Sequence, residues 1–137
     1  MKTVFTSGTF DLFHIGHLNF FKKSREMGDR LVVGVNTDEF VYKYKQKTPI
    51  ISHIQRKSIV QSCKYVDWTV DADEYLPIKY IKEFNVDIIT VGSEWKTTYI
   101  ESIDWAVKNN ISVEYIDYTQ CVSTTKIIQN IKSYEYR

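Results

Sequence analysis

Thr3-Val4-Phe5-Thr6-Ser7-Gly8-Thr9-Phe10-Asp11-Leu12-Phe13-His14-Ile15-Gly16-His17 carries a hydrophobic strand into a glycine and a short turn, and the amphipathic segment His17-Leu18-Asn19-Phe20-Phe21-Lys22-Lys23 follows. A strand that runs directly into a helix is the opening of a βαβ unit. The turn between them aims unpaired backbone N–H groups and the positive end of the helix dipole at whatever lies over it, which suits phosphate. Residues three apart share a helix face, so His14 and His17 can donate hydrogen bonds to one bound group. Gly16 between them lets a ligand approach the backbone closely.

The same alternation continues along the chain. Apolar runs predict strands at 2–7, 30–36, 67–71, 87–91 and 112–116, and amphipathic runs predict helices at 15–27, 52–63, 77–84, 99–109 and 123–133. Leu31-Val32-Val33-Gly34-Val35 and Val86-Asp87-Ile88-Ile89-Thr90-Val91 are near-continuous apolar stretches, as a parallel sheet covered by helices on both faces requires. The expectation is one doubly wound α/β domain over residues 1–137. Ligands of such folds sit outside the carboxyl ends of the strands where strand order reverses, which gathers loops 8–17, 37–51, 92–98 and 117–123 on one edge. Loop 37–51 is long enough to suggest a functional flap.

Composition narrows the function classes. Lys and Arg number 18 against 17 Asp and Glu, a net charge of +1, so bulk charge points to neither nucleic acid nor a membrane surface. Basic residues gather only locally, at Lys43, Lys45 and Lys47. The 10 tyrosines are scattered without interleaved arginine, unlike a nucleic-acid surface. No apolar run approaches the roughly 20 residues of a membrane span, and Met1-Lys2-Thr3 enters a strand rather than a signal sequence; the expected location is cytoplasmic. Cys63 and Cys121 are isolated, without zinc-site spacing, and are expected to be reduced and buried, with no structural metal.

Together with Gly8-Thr9-Phe10-Asp11 and His14-Ile15-Gly16-His17, the stretches Asn36-Thr37-Asp38-Glu39-Phe40, Lys45-Gln46-Lys47, Arg56-Lys57, Tyr65-Val66-Asp67 and Ser123-Thr124-Thr125-Lys126-Ile127 carry a family resemblance. The chain resembles the cytidylyltransferases, and among them the glycerol-3-phosphate cytidylyltransferases, nearly end to end. A lone His-x-Gly-His also occurs in class I aminoacyl-tRNA synthetases and adenylyltransferases; Ser-Thr-Thr-Lys-Ile resembles the cytidylyl branch. The resemblance implies a Rossmann-like sandwich around a five-stranded parallel sheet. It also implies a homodimer meeting near Tyr65-Val66-Asp67, and transfer from CTP, accompanied by Mg²⁺, to a small phosphorylated alcohol in surface-polymer precursor synthesis.

In that reaction a phosphate monoester, already anionic near neutral pH, attacks the α-phosphate of CTP in line and pyrophosphate leaves. No general base is needed; the protein brings two polyanions together and stabilises charge on the α-phosphoryl oxygens and the leaving group. By the resemblance, His14 and His17 donate to the phosphoryl group, and Thr9 and Phe10 supply backbone N–H groups. Asp11 either holds the turn or acts through Mg²⁺. Ser123, Thr124 and Thr125 form a second cradle at the last helix, where Ser123 is also a natural N-cap. Lys45 and Lys47 close over phosphate, and Arg56, on a helix that Ser52 is expected to cap, is a further phosphate ligand. Gly92, Glu94 and Trp95 lie around the base and acceptor, where Trp95 either stacks or packs in the core.

Some positions depart from the family pattern. Tyr118 stands where an arginine usually precedes the threonine, here Thr119; one neutral hydroxyl replaces a bidentate guanidinium. Lys64 replaces the arginine before Tyr-Val-Asp, Ile54 stands where an acidic residue is common, and Ser93-Glu94 replaces a more acidic pair. These changes lie around the substrates rather than in the two phosphate cradles. The alternatives are another acceptor (phosphoethanolamine, phosphocholine or a different polyol phosphate), use of ATP, or a nucleotide-binding homologue without turnover.

Overall fold

A computed structural model describes residues 1–134. Five strands, β1 (Thr3–Gly8), β2 (Arg30–Asn36), β3 (Trp68–Ala72), β4 (Ile88–Gly92) and β5 (Ser112–Ile116), form one parallel sheet in the order β3-β2-β1-β4-β5. The helices are α1 (Ile15–Glu26), α2 (Asp38–Lys45), α3 (His53–Ser62), α4 (Ile78–Glu83), α5 (Glu101–Lys108) and α6 (Thr124–Lys132). The expected doubly wound α/β architecture is the one observed.

Alternation of side chains along each strand divides the core in two. Phe5, Val32, Val70, Ile89 and Val91 point to one face, where Ile81 of α4 and Ala106 of α5 cover them. Val4, Leu31, Val33 and Val35 point to the other, against Phe21 of α1 and Val60 of α3. The sheet is thus buried on both sides, which is why its central strands read as apolar runs.

Strand order reverses between β1 and β4, and there the ladder is short. Val4 pairs with Ile88 and Phe5 with Ile89; beyond them the Thr6 hydroxyl donates to the Thr90 carbonyl at 2.7 Å. The two strands part toward their carboxyl ends, which opens the crevice such folds use for ligands.

Three expectations need correction. Residues 37–51 are not one irregular flap: Thr37 caps α2 by accepting from Phe40 N at 3.2 Å, Asp38 and Glu39 occupy the first turn and Lys43 and Lys45 the last, and left-handed Gln46 (φ 58°) ends the helix. That arrangement matches the helix dipole at both ends. Ser52 occupies the N-cap position of α3 but makes no side-chain capping bond. Both cysteines are free, yet Cys63 is only half-buried and Cys121 is exposed, because each lies in a connection rather than under a helix.

Candidate active site

The turn from β1 to α1 is held in a strained form. Phe10 (φ 54°) and Leu12 (φ 50°) both adopt left-handed backbone, which costs bulky residues about 1–2 kcal/mol each. Compensating contacts are visible. The Phe10 ring folds back over Gly8, where a Cβ would meet it at 2.7 Å, and packs on Phe21 at 4.8 Å between centroids. The buried Asp11 carboxylate accepts from Ile50 N at 2.7 Å, Ile51 N at 2.9 Å and Leu12 N at 3.1 Å. Of the two roles expected for Asp11, holding the turn is what these contacts do. Both oxygens are occupied by N–H donors, so Asp11 does not fit as a magnesium ligand, and no cluster of three or more metal-ligating side chains occurs among the described residues.

His14 and His17 form a reciprocal cap at the start of α1. His14 Nδ1 accepts from Gly16 N at 3.1 Å, and His17 Nδ1 accepts from His14 N at 3.2 Å. The rings stack at 3.7 Å between centroids. An Nδ1 that accepts carries no proton, so each neutral imidazole bears its hydrogen on Nε2. Among the described residues neither Nε2 has a hydrogen-bond partner. Burial lowers the His14 pKa, and burial first, then the charge of His14, pushes His17 down to about 3. The pair therefore presents two neutral N–H donors at a helix N-terminus. Gly16 is needed for this: a Cβ would lie 2.8 Å from the His14 ring and 3.3 Å from Val122.

The segment 117–123 and the start of α6 are fastened to this turn. Thr124 Oγ1 donates to the Asp11 carbonyl at 2.8 Å, and Asn19 Nδ2 of α1 donates to Thr119 Oγ1 at 2.9 Å. Ser123 caps α6, accepting from Lys126 N at 3.0 Å. The two helix N-termini are thus joined at the carboxyl edge of the sheet. Thr125 is exposed, and Tyr118, at 60% exposure, extends into solvent.

Lys45 and Lys47 are exposed at the end of α2. Tyr44, beside them, is a residue that sequence reasoning passed over. Its hydroxyl lies 3.1 Å from Thr9 Oγ1, which also accepts from Asn36 Nδ2 at 3.2 Å, while Asn36 Oδ1 is buried without a partner. Phe40, Tyr44, Tyr75 and Trp95 make an aromatic row along the same edge, with centroids 4.9 Å apart for Phe40–Tyr44, 5.2 Å for Tyr44–Tyr75 and 5.1 Å for Tyr75–Trp95. Burial, then the neighbouring Tyr44 phenol, pushes the Tyr75 hydroxyl up to about 12. Trp95 both closes this row and packs on the core. Glu94 folds its carboxylate over Gly92, in the space a side chain there would take. The signal for Tyr44 was Phe40 four residues earlier, visible once Thr37 is taken as a cap.

Two expected site residues are placed elsewhere. Arg56 is 1% exposed, and its guanidinium donates to the carbonyls of Ile51 (2.9 Å), Thr9 (2.6 Å) and Asn36 (2.8 Å) and to the Asp38 carboxylate (2.7 Å). It ties β1, β2 and α3 together instead of facing a ligand, and it lowers the Asp38 pKa against the burial that raises it. Lys64 lies at the far end of α3, in the connection that returns to the sheet where Asp67 bonds Leu31. That is the amino edge, about 20 Å from the carboxyl edge along a seven-residue strand.

A glycerol-3-phosphate cytidylyltransferase of Staphylococcus aureus is 36% identical over 138 residues, covering 96% of each chain. A bifunctional protein HldE of Campylobacter jejuni subsp. doylei is 37% identical over 132 residues, 96% of this chain; the chain spans 28% of that protein's length. In structure, a lipopolysaccharide core biosynthesis protein of Thermoplasma volcanium GSS1 superposes with a TM-score of 0.69 at 30% identity, covering 87% of this chain and 97% of that one. The cytidylyltransferase-like family model matches residues 5–130, and the chain belongs to that family of nucleotidyltransferases.

Proposed function

We propose that the chain transfers a cytidylyl group from CTP to a small alcohol phosphate, glycerol 3-phosphate first, giving the CDP-alcohol and pyrophosphate. The observation that carries this reading is the stacked histidine pair, whose Nε2–H groups are free at one helix N-terminus while Thr124 fastens a second N-terminus beside it. An oxygen of the acceptor phosphate forms a bond to the α-phosphorus. The bond from that phosphorus to the bridging oxygen breaks, and its electron pair leaves with pyrophosphate. No proton moves, since a phosphate monoester is a dianion above its second pKa of about 6. Neutral donors suit this step, because they hydrogen-bond the α-phosphoryl oxygens throughout the pH range in which the nucleophile is charged. Lys45 and Lys47 meet the β- and γ-phosphates. Mg²⁺ enters as the companion of CTP, with no ligand from Asp11.

A second reading keeps the chemistry and changes a substrate. Relatives of two kinds match at nearly equal identity, and Tyr118 replaces a phosphate-binding arginine, so the acceptor would be another alcohol or sugar phosphate, or the donor ATP. Pyrophosphate release with CTP or ATP and a panel of alcohol phosphates separates these. The first reading predicts release only with CTP plus glycerol 3-phosphate. Release with ATP alone sinks the base assignment, and silence across the panel favours a nucleotide-binding homologue.

The same reading makes the molecule a homodimer joined near Tyr65-Val66-Asp67, supported by edge strand β3 and its Trp68, 57% exposed. Light scattering that returns a monomer mass would remove that expectation.

A further inference from the structure

Tyr44 joins the phosphate turn to a lysine. Its hydroxyl lies 3.1 Å from Thr9 Oγ1, and Lys45 Nζ sits 5.6 Å from its ring centroid. Phe40 packs on the ring at 4.9 Å and Tyr75 at 5.2 Å, and these two lie 5.0 Å from each other, so the ring is held in a compact three-ring cluster. Thr9 is itself held by Asn36 Nδ2, which anchors the contact to the carboxyl ends of β1 and β2. The helix stops immediately after Lys45, at left-handed Gln46. A lysine in the last turn of an eight-residue helix has a flexible stem and a fraying backbone, and both disperse its ammonium unless neighbours restrict it. Tyr44 restricts both at once, through its hydroxyl and through the attraction of a cation to its ring.

We propose that Tyr44 is a positioning residue for nucleotidyl transfer: its hydroxyl pins the last turn of α2 to the phosphate turn, and its ring holds the Lys45 ammonium at the edge where a polyphosphate binds. The inference rests on the transfer reading above. It assigns the residue a role through Lys45 and no contact with the reacting atoms.

The contributions separate by substitution. Tyr44→Phe keeps the ring and removes the hydroxyl, Tyr44→Leu removes both, and Lys45→Met removes the ammonium. Titration calorimetry of inorganic pyrophosphate on the full chain, alongside KM and kcat for CTP, gives the readout. Tyr44→Phe should weaken pyrophosphate roughly three- to tenfold, the loss of about one hydrogen bond, with KM for CTP rising in parallel, kcat moving less and circular dichroism unchanged. Tyr44→Leu should lose more, and its effect should vanish in the Lys45→Met background, as expected when one residue acts through another. Wild-type affinity in the Tyr44 variants, or losses of equal size with and without Lys45, would overturn the proposal by marking a general packing role. Wild-type protein that binds neither pyrophosphate nor CTP overturns the transfer reading and this inference with it. Wild-type binding and turnover with independent effects of the two residues overturns this inference alone.

Discussion

Proton placement on His14 and His17 follows from the backbone: each Nδ1 is occupied by an N–H, so each Nε2 carries the donor. On the transfer reading, activity requires no histidinium. We expect kcat/KM to rise with ionisation of the acceptor phosphate and to stay level from about pH 7 to 9, measured by pyrophosphate release; a fall through pH 6.5 to 7.5 would show that a charged imidazole is the working form. Stability has its own dependence. His17 binds its proton at about 3 in the fold and near 6.5 when unfolded, so between those values the unfolded state holds more protons. Stability from this group is complete above pH 6.5 and declines on acidification, by up to about 1.4 kcal/mol per pH unit; urea midpoints at pH 7, 6 and 5 check this, and His17→Gln should flatten the trend. Arg56 is the other residue whose role is electrostatic and internal. Arg56→Met removes four donated hydrogen bonds, three of them to the carbonyls of Ile51, Thr9 and Asn36, while the solvent-facing Asp38 keeps its bond from His53 N; leaving buried acceptors without their donor costs about 1–3 kcal/mol, and chemical denaturation should show a loss of at least that order.

At the scale of elements, the site depends on how α1, α2 and α6 are joined. Thr124→Val deletes the bond to the Asp11 carbonyl; stability should fall by about 1 kcal/mol, and KM for CTP should rise because the second N-terminus is released from the first. The ten expected strands and helices are all present, within one or two residues at their ends, since apolar runs and capping residues are local signals. Helix α2 was not legible for a physical reason: it begins one residue after β2 and spans barely two turns, too short for periodicity to stand out from a polar loop. Burial of Arg56 was hidden because its partners, the carbonyls of Thr9, Asn36 and Ile51, converge only when three elements pack. The pairing of Tyr44 with Tyr75 was hidden in the same way, since the sheet order brings α2 beside the connection after β3. The histidine pair, by contrast, was visible because spacing on one helix face is written in the sequence.

For the whole molecule, strand order β3-β2-β1-β4-β5 places the parting of β1 from β4 at the centre of the carboxyl edge. The histidine turn follows β1 at that edge, α6 is fastened to it through Thr124, and α2, which follows β2, is joined to the Gly92–Trp95 segment through Tyr75. On the transfer reading, an in-line displacement at this edge needs the acceptor phosphate to approach the α-phosphorus opposite the departing pyrophosphate. The measurement that tests this account most directly is pyrophosphate release from CTP and glycerol 3-phosphate, followed for the wild-type chain and for His17→Ala under identical conditions. The account predicts release that depends on the acceptor and falls by roughly a hundred- to a thousandfold in the variant, the usual cost of one lost transition-state donor, with circular dichroism little changed. Release of equal rate from both proteins would contradict it.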